Sequence, residues 1–256
     1  MDHEGRMALA RRVTDYVRRL HSEVIAVAVH GSTATSEDRE HSDLEMIAIT
    51  RGRSETRGYG VIHEGIVVEI ELASEEDATR EAGTIGWNWP MSVDGLIHTV
   101  PIHDPESVLP RLAALASNPN PEKLAQFPRG VLNSMYEDLC KIRNFLAAGD
   151  EPLARVMCHG FALHGVAPFV AFLNRQHYNG IRNLLTKPRE FGILPPHFWE
   201  DYPRLLAVDG ETRELAVRAE RLYGECQAIL ASAGQTIPDG LSLEEKLDRG
   251  RSPRTP

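Results

Sequence analysis

The stretch His30-Gly31-Ser32, followed after ten residues by Asp43-Leu44-Glu45, constrains this chain more than any other. The apolar run VIAVAV precedes it and MIAIT follows it. Short runs of Val, Ile and Ala bounded by turn residues read as buried strands. A glycine-serine turn therefore leaves one strand, and a second strand carries two carboxylates separated by one apolar residue. Side chains alternate faces along a strand, so Asp43 and Glu45 are expected on one face and Leu44 on the other. Two adjacent carboxylates repel unless a cation lies between them. Glycine lets backbone N–H groups approach a phosphate closely. The two features together predict a site for a metal-bound nucleoside triphosphate.

A chain of 256 residues has room for one large domain or two small ones. Its 42% apolar content suits a globular protein with a substantial core. No run reads as the roughly 20 apolar residues of a membrane helix, and MDHEGRMALARRV lacks the apolar centre of a signal peptide. Cys140, Cys158 and Cys226 are widely spaced, odd in number and without a zinc pattern. These features point to a cytoplasmic protein with reduced thiols and no membrane association. A formal net charge of -9 argues against a nucleic-acid binder and suits a cationic small molecule better.

Apolar spacing predicts a helix over 7–20 and strands over VIAVAVH, DLEMIAIT and GIVVEIELAS. A short helix is expected after Ser32. The polar RGRSETRG reads as a loop, and Ser74 as a helix cap followed by acidic first-turn residues. Trp87, Trp89 and Pro90 mark an irregular connection. A further strand ends at Asp104-Pro105, and a helix over roughly 106–117 stops at Asn-Pro-Asn-Pro. Beyond that break, 129–148, 151–176 and 211–234 read as long helices, with a Pro-rich aromatic segment between them. The tail DRGRSPRTP reads as disordered. The fold class is α+β, with a mixed sheet and flanking helices over 1–127 and a helical bundle over 128–256.

The third strand offers Glu69 and Glu71 on one face, and either can join Asp43 and Glu45. Three carboxylates suffice for two divalent cations. Glu137 and Lys141 stand four apart and share a helix face. A carboxylate there can accept a hydroxyl proton and an ammonium can meet phosphate charge. His159 and His164 are poorly spaced for one metal, and His103-Asp104 lacks the companion histidines of a phosphohydrolase.

The segments AVAVHGS, HSDLEMIAIT, VVEIELASEE, NWPMSVDGLIHTVPIHD and YEDLCKIRNF occur in an order that resembles the nucleotidyltransferase superfamily. More narrowly, they resemble aminoglycoside 4'-O-nucleotidyltransferases of the kanamycin nucleotidyltransferase type. The resemblance implies a magnesium enzyme, with two ions, that uses ATP or another NTP. It would transfer a nucleoside monophosphate to the 4'-hydroxyl of drugs such as kanamycin, tobramycin and amikacin, conferring resistance. It implies Asp43, Glu45 and Glu69 as metal ligands, Glu137 as general base and Lys141 as a triphosphate contact. Gly31, Ser32 and Ser42 match positions around the nucleotide. Glu64 and Asp94 are candidates for a substrate ammonium. It also implies a homodimer whose Glu137 and Lys141 serve the partner's site. One departure is visible: family members often carry a basic residue soon after the turn, whereas Thr33-Ala34-Thr35 follows here and no Arg or Lys precedes Arg39. The rival readings are a related enzyme with a protein or another small molecule as acceptor, and a non-catalytic nucleotide sensor.

Overall fold

A computed structural model describes residues 1–52 and 57–235. The expected disordered tail and the centre of the expected loop at 51–58 lie outside the described residues. Five strands form one mixed sheet: β1 (Val24–His30), β2 (Leu44–Thr50), β3 (Arg57–His63), β4 (Ile66–Ser74) and β5 (Val100–His103). Their order is β3-β4-β2-β1-β5. β2 runs parallel to β4, and the other neighbours are antiparallel. β1 sits inside the sheet, and six of its seven residues are buried, as its unbroken apolar run requires.

The helix His3–Leu20 begins at Asp2, whose side chain accepts the Gly5 N–H. Its Leu9, Ala10 and Val17 join Val27 and Val29 of β1, Leu44, Met46 and Ala48 of β2, and Val68 and Leu72 of β4 in one apolar cluster. These strand positions alternate, so one sheet face packs on this helix. Glu45 and Glu69 belong to the opposite phase.

The expected loop at 51–58 is corrected at its end, because β3 starts at Arg57. Arg-Gly-Tyr-Gly has little strand propensity of its own. It is held by antiparallel pairing along β4, and a two-residue corner at Glu64 and Gly65, both at positive φ, closes the hairpin. Ser74 caps the helix Glu75–Gly83 by accepting the Asp77 N–H. Asp104 caps the helix Val108–Ser117 with both carboxylate oxygens, at 2.8 Å and 3.0 Å from two backbone nitrogens. That gives Asp104 of the His103-Asp104 pair a structural use.

The chain divides into two compact units. Among the described residues, one comprises Met1–Phe127 and Val170–Leu194; the other comprises Pro128–Phe169 and 195–235. Residues 170–194 thus belong with the sheet, whereas the sequence placed them in the helical half. Their anchors are visible: Tyr178 is buried and donates its N–H to the Pro90 carbonyl, and Trp89 stacks against Phe172. The span expected as a helix over 151–176 is three consecutive helical segments, Glu151–Gly160, a π-turn Phe161–Val166 and Ala167–Asn174. By length and composition Glu151–Asn174 could cross a membrane, which corrects the expectation that no run approaches that size. However, 61% of its most apolar window is buried within the protein, as in a core helix.

The second unit is helical, with Phe127–Ala147 entering it at Pro128, then Glu151–Gly160, Phe198–Ala207 and Thr212–Ser232. Asp201 is fully buried there. Arg218 and Arg221 donate to its two oxygens, each at 2.7 Å. Cys158 and Cys226 are buried free thiols, and Cys140 is half-buried.

Candidate functional site

Sheet register builds the site. Glu45 of β2 lies directly opposite Glu69 of β4, while Glu71 lies opposite Ile47. Register thus puts Glu69, and not Glu71 two residues further along, across from Glu45. Asp43 stands just before β2, and carboxylate oxygens of Asp43, Glu45 and Glu69 all lie within 4.8 Å of one another. Glu71 is instead a half-buried carboxyl whose pKa is raised by burial and by Glu81.

The turn after β1 closes on this cluster. His30 is opposite Glu45 across the β1–β2 pair, and Gly31 follows at φ +65°. A Cβ on Gly31 would sit 1.8 Å from Oε2 of Glu45. Glycine is required here twice, by the left-handed backbone and by the carboxylate against it. Ser32 and Thr33 are buried, and neither hydroxyl finds a hydrogen-bond partner among the described residues. Buried unpartnered hydroxyls are uncommon and suit a polar ligand at this turn.

Arg6 holds the connection between turn and β2. It is fully buried and donates to the carbonyls of Arg39, Glu40 and Ser42, at 2.6 Å, 2.9 Å and 2.9 Å, and to Oδ2 of Asp38 at 3.0 Å. Ser42 completes the loop by accepting the Arg39 N–H at 2.9 Å. Asp43 is thus delivered by a loop fixed from the N-terminal helix. The sequence did carry a signal for Arg6, since it occupies the apolar stripe three residues before Leu9.

No protein-family model matches the chain, and no curated protein matches it in sequence. Among solved structures, a nucleotidyltransferase-like protein from Exiguobacterium sibiricum 255-15 aligns over 90% of this chain and 77% of its own. The TM-score is 0.55 and the identity 17%. The fold is nucleotidyltransferase-like.

Electrostatics mark the cluster as short of positive charge. Burial raises the Glu45 pKa first, Asp43 and Glu69 raise it further, and Arg182 opposes them. Burial lowers the His30 pKa against the pull of Asp43, which favours a neutral ring. Closely spaced hard oxygen donors suit Mg2+ or Mn2+, and a cation there would relieve the repulsion that Glu45 registers.

The other expected residues have the following surroundings. Glu64 forms the exposed corner of the β3–β4 hairpin beside His63, two residues before β4 begins, while Glu69 is the fourth residue of that strand. Asp94 is 5% exposed and holds the His98 ring at 2.7 Å, so it faces a histidine before any ligand. Glu137 and Lys141 lie on the long helix of the second unit and are bonded to each other at 2.9 Å. That bond holds the exposed Glu137 carboxyl below the usual glutamate range. His159 bonds to the Leu206 carbonyl at 2.6 Å. Arg182, which no local sequence feature singled out, is brought to the turn by residues 170–194.

Proposed function

We propose that the protein is a divalent-metal nucleotidyltransferase that moves a nucleoside monophosphate from ATP or another NTP to an aminoglycoside 4'-hydroxyl. The observation that carries the transfer chemistry is the convergence of Asp43, Glu45 and Glu69 beside the Gly31-Ser32 turn. The acceptor is supported by the segment-by-segment resemblance, and by an acidic chain suited to a polycation.

Asp43, Glu45 and Glu69 would hold the cation, with room in the donor set for two. When bound, it supplies positive charge to the triphosphate and to the oxygens entering and leaving phosphorus. The drug hydroxyl forms the new bond to the α-phosphorus, the bond to the β-phosphate oxygen breaks, and pyrophosphate leaves. In this reading Glu137 of a second subunit takes the hydroxyl proton and its Lys141 contacts the triphosphate. The Glu137–Lys141 ion pair is then a resting arrangement. Turning Lys141 toward phosphate releases the carboxylate and restores its basicity. The reaction belongs in the cytoplasm, where Mg-NTP is available.

The test is pyrophosphate release from Mg-ATP with kanamycin, tobramycin or amikacin, with mass spectrometry of the drug. Release with a mass gain of one AMP, absent in Asp43→Asn, is the expected result. Folded protein that binds ATP but acts on no aminoglycoside would keep nucleotidyl transfer and move the acceptor to a protein or another small molecule.

A further inference from the structure

The segment after Ser32 offers no cation until Arg39, yet a triphosphate beside three carboxylates needs one. Arg182 stands at that place. Its Nη1 lies 3.8 Å from Oε2 of Glu37, and Asn179 donates to the same oxygen at 3.2 Å. Glu37 is tied to the turn in its own right, because its N–H bonds to the Ser32 carbonyl at 2.9 Å and the Thr35 hydroxyl reaches its carboxylate. The 3.8 Å contact is longer than a direct charge-assisted hydrogen bond, and both side chains are partly exposed. An arginine resting loosely on a glutamate is free to trade it for a stronger anion. The unpartnered Ser32 and Thr33 hydroxyls lie on the same turn.

The platform beneath Arg182 is fixed. The Tyr178 N–H bonds to Pro90, the Tyr178 ring packs near Phe191, and the Asn179 N–H bonds to the Asn183 side chain at 2.8 Å.

We propose that Arg182 is a second triphosphate-gripping cation, supplied by the same subunit as the carboxylates, with Glu37 as the anion it releases when the phosphates arrive. The proposal rests on the nucleotidyl-transfer reading and names a binding group within it. Guanidinium suits the role because its planar fork pairs two phosphate oxygens at once. No bond is made or broken; one carboxylate partner is exchanged for phosphate oxygens, with Asn179 following Arg182.

The experiment is calorimetric binding of Mg-tripolyphosphate and of Mg-α,β-methylene-ATP to wild type, Arg182→Gln and Glu37→Gln, with Mn2+ binding to the carboxylates as a check on the site. Arg182→Gln is expected to weaken both phosphate ligands about tenfold or more, the scale of a charged hydrogen bond, and to leave Mn2+ binding intact. Glu37→Gln, which removes the competing anion and spares the guanidinium, is expected to tighten both. Wild-type affinity in an Arg182→Gln protein that still binds Mn2+ would overturn the assignment. Unchanged or weaker binding in Glu37→Gln would overturn the exchange. Failure of wild type to bind either ligand would instead overturn the nucleotidyl-transfer reading itself.

Discussion

At the scale of single residues, Glu45 links charge, stability and metal. Burial and two neighbouring carboxylates raise its folded pKa above the ordinary value of 4.5. A raised carboxyl favours the folded state fully below the unfolded pKa, and this advantage is lost as pH rises through the folded value. The metal-free protein should therefore lose stability as pH climbs from about 4 toward neutrality, and Glu45→Gln should lessen that loss. Thermal melts at several pH values, with metal chelated, check both. Mn2+ should reverse the effect, adding about 2.7 kcal/mol at a concentration 100 times its dissociation constant. No such gain is expected in Asp43→Asn. Gly31→Ala tests the closeness of the turn. The added Cβ must displace the Glu45 carboxylate and strain a positive φ, so the variant should fold with stability reduced by about 1–2 kcal/mol and with metal affinity cut sharply.

At the scale of elements, the loop between turn and β2 depends on Arg6. Arg6→Met keeps the apolar stem but leaves Oδ2 of Asp38 and the carbonyls of Met1, Arg39, Glu40 and Ser42 without their Arg6 donor. The expected cost is about 3–5 kcal/mol in denaturant unfolding, and Asp43 should lose its position before the sheet melts. In the helical unit, Asp201→Asn should cost a similar amount, because two guanidiniums lose a buried counter-charge. It should leave metal binding at the carboxylates unaffected. The strands were legible in sequence where apolar runs were dense, as in VIAVAVH and IVVEIELAS. β3 was not, because its glycines and exposed side chains give no strand pattern and only pairing with β4 creates it. Asp43 and Glu45 could be placed from alternation alone. Choosing Glu69 over Glu71 needed either the family resemblance or the β2–β4 register.

At the scale of the whole molecule, the chain is not two consecutive halves. Residues 170–194 return to the sheet-bearing unit and carry Arg182 to the turn. No local pattern could show this, since Arg182 and Glu37 are far apart in sequence and their meeting is a property of packing. Glu64 and Asp94 were chosen for charge alone. The structure gives one to a hairpin corner and the other to a histidine. Under the proposed shared site, Glu137→Ala and Asp43→Asn should each be inactive alone and should regain activity when mixed, up to about a quarter of the wild-type level for random dimers with one intact site each. No recovery after proven subunit exchange would remove the shared site while leaving the chemistry of the carboxylates untouched.

The account stands on Asp43, Glu45 and Glu69 forming a divalent-metal site that works with a triphosphate. The most direct measurement is electron paramagnetic resonance of Mn2+ titrated with wild type and with Asp43→Asn, each with and without α,β-methylene-ATP. The account predicts Mn2+ bound by wild type, bound more tightly once the nucleotide analogue is present, and left free by a folded Asp43→Asn protein. Mn2+ that stays free with wild type in both conditions, or binds equally well to Asp43→Asn, would contradict it.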